Sequence, residues 1–182
     1  MSVTLILGGA RSGKSQYAHE LADMLGGRVL YVATAEALDE EMSSRIEAHK
    51  RSRPSSWRTL EVQTDVAEAI RSGIGDAEVV IIDCLTLLVS NLMSEEDLSA
   101  EALEEKVAAE LEDIIALMGN MSSHFIIVSN ELGLGLVPLH PSGRAYRDVL
   151  GLANQMLARR ADEVYLMIAG IPLVAKKEDI AK

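Results

Sequence analysis

The chain is poor in the residues that mark several classes of protein. It has one cysteine, Cys84, in 182 residues, so no disulfide forms within it, and the place of Cys84 behind an apolar run implies a buried, inert thiol. Positive charge is scarce: 17 Lys and Arg against 28 Asp and Glu leave a net charge of -11. That balance disfavours a protein that coats nucleic acid, because phosphate-backbone binding needs a concentrated basic surface. The longest apolar runs, such as residues 166–175, fall short of a bilayer span. A strand-like run starts at Val3 with no secretory leader before it, and cytoplasmic residence is the expectation. There is no internal repeat, and the one biased stretch, Ser94 to Asp97, reads as a solvated helix connection. The length is that of one well-cored domain, residues 1–182, with no second boundary.

What is present is an alternation of two periods. Runs at 3–7, 28–33, 58–62, 78–82, 124–129 and 163–169 read as strands. Four of them are nearly continuous Val, Ile, Leu and Met, the composition of parallel strands buried on both faces. Between them, 15–25, 38–51, 65–72, 86–93, 99–118 and 144–160 read as helices. The helix over 99–118 carries Leu103, Val107, Leu111, Ile114 and Met118 at spacings of three and four, an apolar stripe. Alternation of this kind predicts an α/β fold with a doubly wound, mostly parallel sheet and helices on both faces. The run 173–175 adds a short antiparallel edge strand. Ligands of such sheets bind beyond the carboxyl ends of the strands.

The first of those ends carries the strongest signal. Residues 8–15, GGARSGKS, fit G-x-x-x-x-G-K-[ST] with a strand before and a helix after. Gly8, Gly9, Ala10, Arg11, Ser12 and Gly13 would form a turn whose N–H groups cradle phosphate oxygens at the positive end of the following helix. Lys14 would reach the β and γ phosphates, and Ser15 would offer its hydroxyl to Mg²⁺. A nucleoside triphosphate, ATP or GTP, is the implied ligand. Asp83 closes the run Val79 to Ile82 and is the candidate second metal-binding group, the alternative being a plain helix cap.

His49 continues the stripe Leu38, Met42, Ile46, which by periodicity favours a core histidine. Its neighbours point elsewhere. Lys50, Arg51 and Arg53 follow directly, Pro54 stops the helix and Trp57 anchors the return into the next strand. Cations beside an imidazole suit an anionic phosphorus centre, where neutral imidazole acts as nucleophile and the cations offset the charge of a leaving pyrophosphate. Glu61 ends the third strand; its carboxylate would accept from the N1 and N2 donors of guanine, unless it is an ordinary exposed strand residue. Residues 130–138 form a Gly-containing loop long enough to close on a substrate, or a plain surface loop. His19, His124 and His140 receive no role.

GGARSGKS, YVATAEALDEEMSSRIEAHKRSRPSSWRTLE, VVIIDCLTLLVSNLM, VSNELGLGLVP and RAYRDVLGLANQMLARRADEVYLMIAGIPL together resemble the bifunctional adenosylcobinamide kinase / adenosylcobinamide-phosphate guanylyltransferase family of cobalamin assembly. The resemblance runs from Val3 to about Leu173, and the block from His49 to Glu61 is its most specific part. It implies a RecA-like P-loop sheet, phosphorylation of adenosylcobinamide by a nucleoside triphosphate, and GMP transfer from GTP through a guanylyl-histidine. Residue by residue, it makes His49 the nucleophile and assigns residues 8–15, Thr34, Lys50, Arg51, Ser52, Arg53, Glu61 and Asp83 to nucleotide binding. It implies a corrinoid and a nucleotide as partners, no nucleic acid or membrane insertion, and a homotrimer. Two other readings stay open on the residues: a P-loop kinase of another small metabolite, which has no need of the His49 block, and a RecA-like ATPase or binding module. For the latter no basic face is evident, and neither an N/T-K-x-D motif nor an LSGGQ-type signature occurs.

Overall fold

Seven strands form one sheet in the order β3-β2-β4-β5-β1-β6-β7, seen in a computed structural model that describes residues 2–36, 40–94 and 99–177. Within these, the side chains at positions 41, 42, 45, 48, 49, 52 and 94 lie outside the description. The elements run β1 (Val3–Gly8), α1 (Lys14–Leu25), β2 (Val29–Ala33), α2 (Glu40–Ser52), β3 (Arg58–Glu61), α3 (Val66–Gly73), β4 (Val79–Asp83), α4 (Leu85–Ser94), α5 (Ala100–Gly119), β5 (His124–Asn130), α6 (Pro141–Arg160), β6 (Glu163–Ile168) and β7 (Ile171–Lys177). Every pairing is parallel except that of β7 on β6. The expected doubly wound α/β architecture is the one observed.

Strand alternation divides the apolar residues between two cores. Leu5, Leu30, Val32, Val80, Ile82, Phe125 and Ile127 face α3, α4, α5 and α6. Ile6, Tyr31, Ala33, Ile81, Ile126 and Val128 face Ala18 and Ala22 of α1. Small residues on α1 let it lie close to the sheet, which brings its first turn directly onto the end of β1. The stripe of α5 is buried throughout, Leu117 included. Alongside that stripe on α5, Glu110 accepts the N–H of Val66 at 2.8 Å and that of Asp65 at 3.2 Å, and so satisfies the first turn of α3.

Two elements exceed the expectation by more than one residue at an end. Helix α6 begins at Pro141, not at 144, because a proline in the first turn gives up an N–H that has no helical partner there anyway. Strand β7 spans Ile171–Lys177, longer than 173–175. It forms a hairpin with β6 through Ala169 and Gly170, both at positive φ, and Pro172 is tolerated because β7 is the edge. The stretch 95–97 and Leu38 lie outside the described residues.

Leu111 is fully buried where α5 meets the sheet-facing core. Leu111→Ala is expected to destabilise the protein by about 2–5 kcal/mol, read as a lower urea midpoint with an unchanged slope.

Candidate active site at the carboxyl edge of the sheet

The parallel strands all end on one edge, and register aligns their last residues: Ala33 lies beside both Glu61 and Asp83, and Gly8 beside Asn130 and Met167. At this edge the chain after β1 turns sharply into α1. Gly8 has φ +153°, and a Cβ there would stand 2.7 Å from the carbonyl oxygen of Met167, which as backbone cannot yield. Gly13 adopts a left-handed conformation at the N-terminus of α1. The β6–β7 turn buttresses the loop, the N–H of Gly170 donating to the Ser12 carbonyl at 2.9 Å. Gly9, Ala10 and Arg11 are exposed at the crown of the turn, and Ser15 is half-buried in the first helical turn. Ser12 is buried with no partner for its hydroxyl among the described residues. Lys14 is buried, its Nζ donating to the Gly9 carbonyl at 2.6 Å. Burial holds its pKa below the ordinary lysine range, against the opposing pull of the Cys84 and Asp83 side chains.

Asp83 does not stand alone. The phenol of Tyr31, on the neighbouring strand, donates to Asp83 Oδ2 at 2.6 Å. Burial, then the negative charge of Asp83 and this hydrogen bond, raise the Tyr31 pKa far above the ordinary phenol range, so the donor proton stays in place. Over the Tyr31 ring sits the guanidinium of Arg53, its central carbon 3.7 Å from the ring centroid. Trp57 stacks on Tyr31 at 6.4 Å, and His19 meets Trp57 edge-on at 5.0 Å. Arg53 Nε and Nη1 are buried without a hydrogen-bond partner among the described residues. A guanidinium held in that state beside a carboxylate-bearing strand end is matched to an anion.

The segment that links Arg53 to the rest of the site is α2. Lys50 reaches Glu61 at the end of β3, Nζ to Oε1 2.5 Å, an exposed pair. Arg51 pairs with Glu47 on the exposed side of the same helix at 3.5 Å. His49 and Ser52 belong to α2, but their side chains lie outside the description. Thr34 is fully buried: its hydroxyl donates to the Cys84 carbonyl at 2.7 Å and accepts from the Cys84 N–H at 2.9 Å. Asn91 Nδ2 donates to the carbonyls of Thr34 and Gln63. Thr34 therefore fixes the backbone at Cys84, directly after Asp83, and Asn91 in turn ties Thr34 to Gln63. Cys84 is only partly covered as a residue, yet its thiol is pushed up to about 12, first by burial and then by the Asp83 charge.

For a divalent cation, Asp83 offers a carboxylate and Ser15 a hydroxyl. Among the described residues no group of three His, Cys, Asp or Glu side chains is placed to hold a metal. That donor set fits Mg²⁺, which keeps several waters and takes its remaining oxygens from substrate phosphates, and does not fit a structural metal. Tyr31 and the Met167–Gly170 buttress were missed by sequence reasoning. The signal for Tyr31 was a lone hydroxyl within an apolar strand; the buttress left none.

Comparison with known proteins places the chain in a family. The family model described as Cobinamide kinase / cobinamide phosphate guanyltransferase matches residues 4–175. The chain is 38% identical over 179 residues to the bifunctional adenosylcobalamin biosynthesis protein CobU of Escherichia coli K12, covering 94% of this chain and 98% of the relative. It is 41% identical over 176 residues to the bifunctional adenosylcobalamin biosynthesis protein CobP of Pseudomonas aeruginosa, covering 97% and 98%. A CobU from Salmonella typhimurium is 36% identical over 179 residues, covering 94% and 98%.

Tyr31→Phe removes a buried hydrogen bond to a carboxylate and is expected to cost about 1.5–3 kcal/mol of stability, measured by denaturant unfolding near neutral pH. For Cys84, the fold holds a proton that the unfolded chain releases. Its share of the stability is therefore present below the ordinary thiol range and lost as pH rises through about 12. Alkylation by iodoacetamide at pH 8 should be about a thousandfold slower in the folded protein than in denaturant, followed by mass spectrometry.

Proposed function

The chain belongs to the cobinamide kinase / cobinamide phosphate guanyltransferase family, bifunctional enzymes of adenosylcobalamin biosynthesis, and we propose that both activities are served by this one sheet edge with His49 as the GMP-accepting nucleophile. In the kinase step, the hydroxyl of the corrinoid's aminopropanol arm attacks the γ-phosphorus of a nucleoside triphosphate. The bond to the bridging oxygen breaks, and the nucleoside diphosphate leaves. In the transferase step, the His49 imidazole attacks the α-phosphorus of GTP and pyrophosphate departs. A phosphate oxygen of cobinamide phosphate then displaces the imidazole at that phosphorus. The P–N bond breaks, His49 is restored and cobinamide-GDP is released. Splitting the exchange into two displacements avoids direct attack of one anion on another.

The residues divide the work. The turn of residues 8–13 presents its N–H groups to phosphate, and Lys14 leaves the Gly9 carbonyl for the β and γ oxygens. Ser15 and Asp83 would hold Mg²⁺, which supplies charge neutralisation on the phosphates when bound. Tyr31 fixes the rotamer of Asp83, while Thr34 holds the backbone behind it. Arg53 and Lys50 offset phosphate charge near His49. Glu61, once released from Lys50, accepts from the guanine N1 and N2 donors, whose pattern adenine lacks. Arg51 and Ser52 complete the segment.

One observation carries the reading: Arg53, four positions beyond His49 in the chain, lies on the ring whose hydroxyl holds Asp83. That contact supports bringing α2 to the phosphate edge, and the Lys50–Glu61 pair supports the same approach from the other side. The proposal extends to a single domain, to cytoplasmic residence, where nucleoside triphosphates are abundant, and to a homotrimer. Assembly is supported by the exposed Ile168, Ile171, Leu173 and Val174 of the β6–β7 hairpin, an apolar edge suited to a subunit contact. No helix among the described residues is long and apolar enough to cross a membrane.

After incubation with GTP and Mg²⁺, peptide mass spectrometry should find one GMP, on His49. His49→Ala should lose that adduct and all GMP transfer while phosphorylating cobinamide at a rate within about threefold of the unmodified enzyme. A normal adduct yield in the variant removes His49 from the mechanism.

A further inference from the structure

Beyond the nucleotide residues, the same edge carries a second concavity. It lies between the start of the loop after β5 and the outward face of α6, and has a volume of about 370 Å³. Helix α6 is split lengthwise: Val149, Leu150, Ala153 and Leu157 enter the core, whereas Arg147, Asp148, Gly151 and Gln155 line the cavity. At its floor Asn154 is 8% exposed. Its Nδ2 donates to the Asn130 carbonyl at 2.9 Å, and its buried Oδ1 has no partner among the described residues, a costly state for an amide acceptor. The cavity adjoins the phosphate turn, since Asn130 lies beside Gly8 in register and the Glu131 N–H donates to the Gly8 carbonyl at 3.0 Å.

The rim has the opposite character. Leu134, Leu136, Val137 and Leu139 are 84%, 97%, 63% and 92% exposed, and their backbone is tied down at both ends. Glu131 accepts the N–H groups of Gly133 and Leu134 at 2.7 and 3.0 Å. At the far end, Arg144 Nη1 donates to the carbonyls of Pro138 and Leu139 at 3.1 and 2.7 Å. Four aliphatic side chains held outward on a pinned loop form an apolar lip beside a polar, amide-floored cavity.

We propose that this cavity and lip bind the corrinoid, the cavity taking an amide-bearing side arm and the lip lying against the macrocycle. The match is chemical. A corrinoid is a broad apolar ring fringed with carboxamides. Each amide brings an N–H donor for Asn154 Oδ1 and a carbonyl for Arg147 or Gln155, and the ring face needs aliphatic surface without a hydrogen-bond demand. The place also fits: a phosphoryl acceptor must meet the γ-phosphate at the phosphate turn, and the cavity opens next to it. This inference rests on the kinase reading above.

Gly151 provides the test, because a Cβ there meets nothing within 4 Å and its φ is not left-handed. Gly151→Leu fills the cavity from a helix position that favours leucine over glycine, so its thermal midpoint should equal or exceed that of the unmodified enzyme. The KM for cobinamide in the full-length enzyme should rise at least tenfold, with the nucleotide KM and GMP adduct yield unchanged. Leu136→Ser, at a fully solvated position, should raise the cobinamide KM severalfold without changing the sedimentation coefficient. An unchanged cobinamide KM in Gly151→Leu overturns the cavity assignment. If Leu136→Ser alters the oligomeric state and leaves the cobinamide KM alone, the lip is a subunit contact and the ring assignment is wrong. Loss of cobinamide phosphorylation and GMP labelling in the unmodified enzyme would instead refute the underlying function.

Discussion

A carboxylate at the rim of a sheet buried on both faces needs a partner, and here the Tyr31 phenol supplies it with a 2.6 Å hydrogen bond to Asp83. In a low-dielectric setting an unpaired Asp83 would carry a large desolvation cost. Through Tyr31 one oxygen of Asp83 is satisfied and oriented. The same ring is the seat of Arg53 and the stacking partner of Trp57. One side chain thus connects the strand that carries the acid, the helix that carries His49, and the aromatic packing over α1.

The phosphate turn rests on a different constraint, the absence of side chains. Gly8 passes so close to the Met167 carbonyl that any Cβ would collide, and the β6–β7 turn donates to the loop from behind. The hairpin, remote in sequence, therefore shapes the first functional segment of the chain. It is held by backbone hydrogen bonds on one side and leaves apolar side chains exposed on the other.

The fold was largely legible because its signals are local and redundant. Buried parallel strands read as unbroken Val and Ile, helices repeat at three and four, and each boundary carries a Gly, Pro or polar cap. The boundaries misjudged by more than one residue are where a proline occupies a permitted position: the first turn of α6 and the edge strand β7. The candidate site was legible where one continuous motif contains it, as at residues 8–15, or where a charge closes a strand, as at Asp83. Thr34 was assigned to nucleotide binding, and the structure commits its hydroxyl to the Cys84 backbone. Such a role depends on which strand lies next door.

By itself, then, the sequence determined the α/β alternation, the phosphate turn and the block from His49 to Glu61, because each is encoded over a few consecutive residues. Only the tertiary structure decided that Tyr31 holds Asp83, that Arg53 lies on Tyr31, that Glu110 caps a helix some 45 positions away, and that α6 turns a cavity toward the phosphate edge. These pairings are set by strand order and register. Two residues far apart in the chain meet only after burial of the apolar faces has fixed which strands are neighbours, and no local spacing encodes that choice.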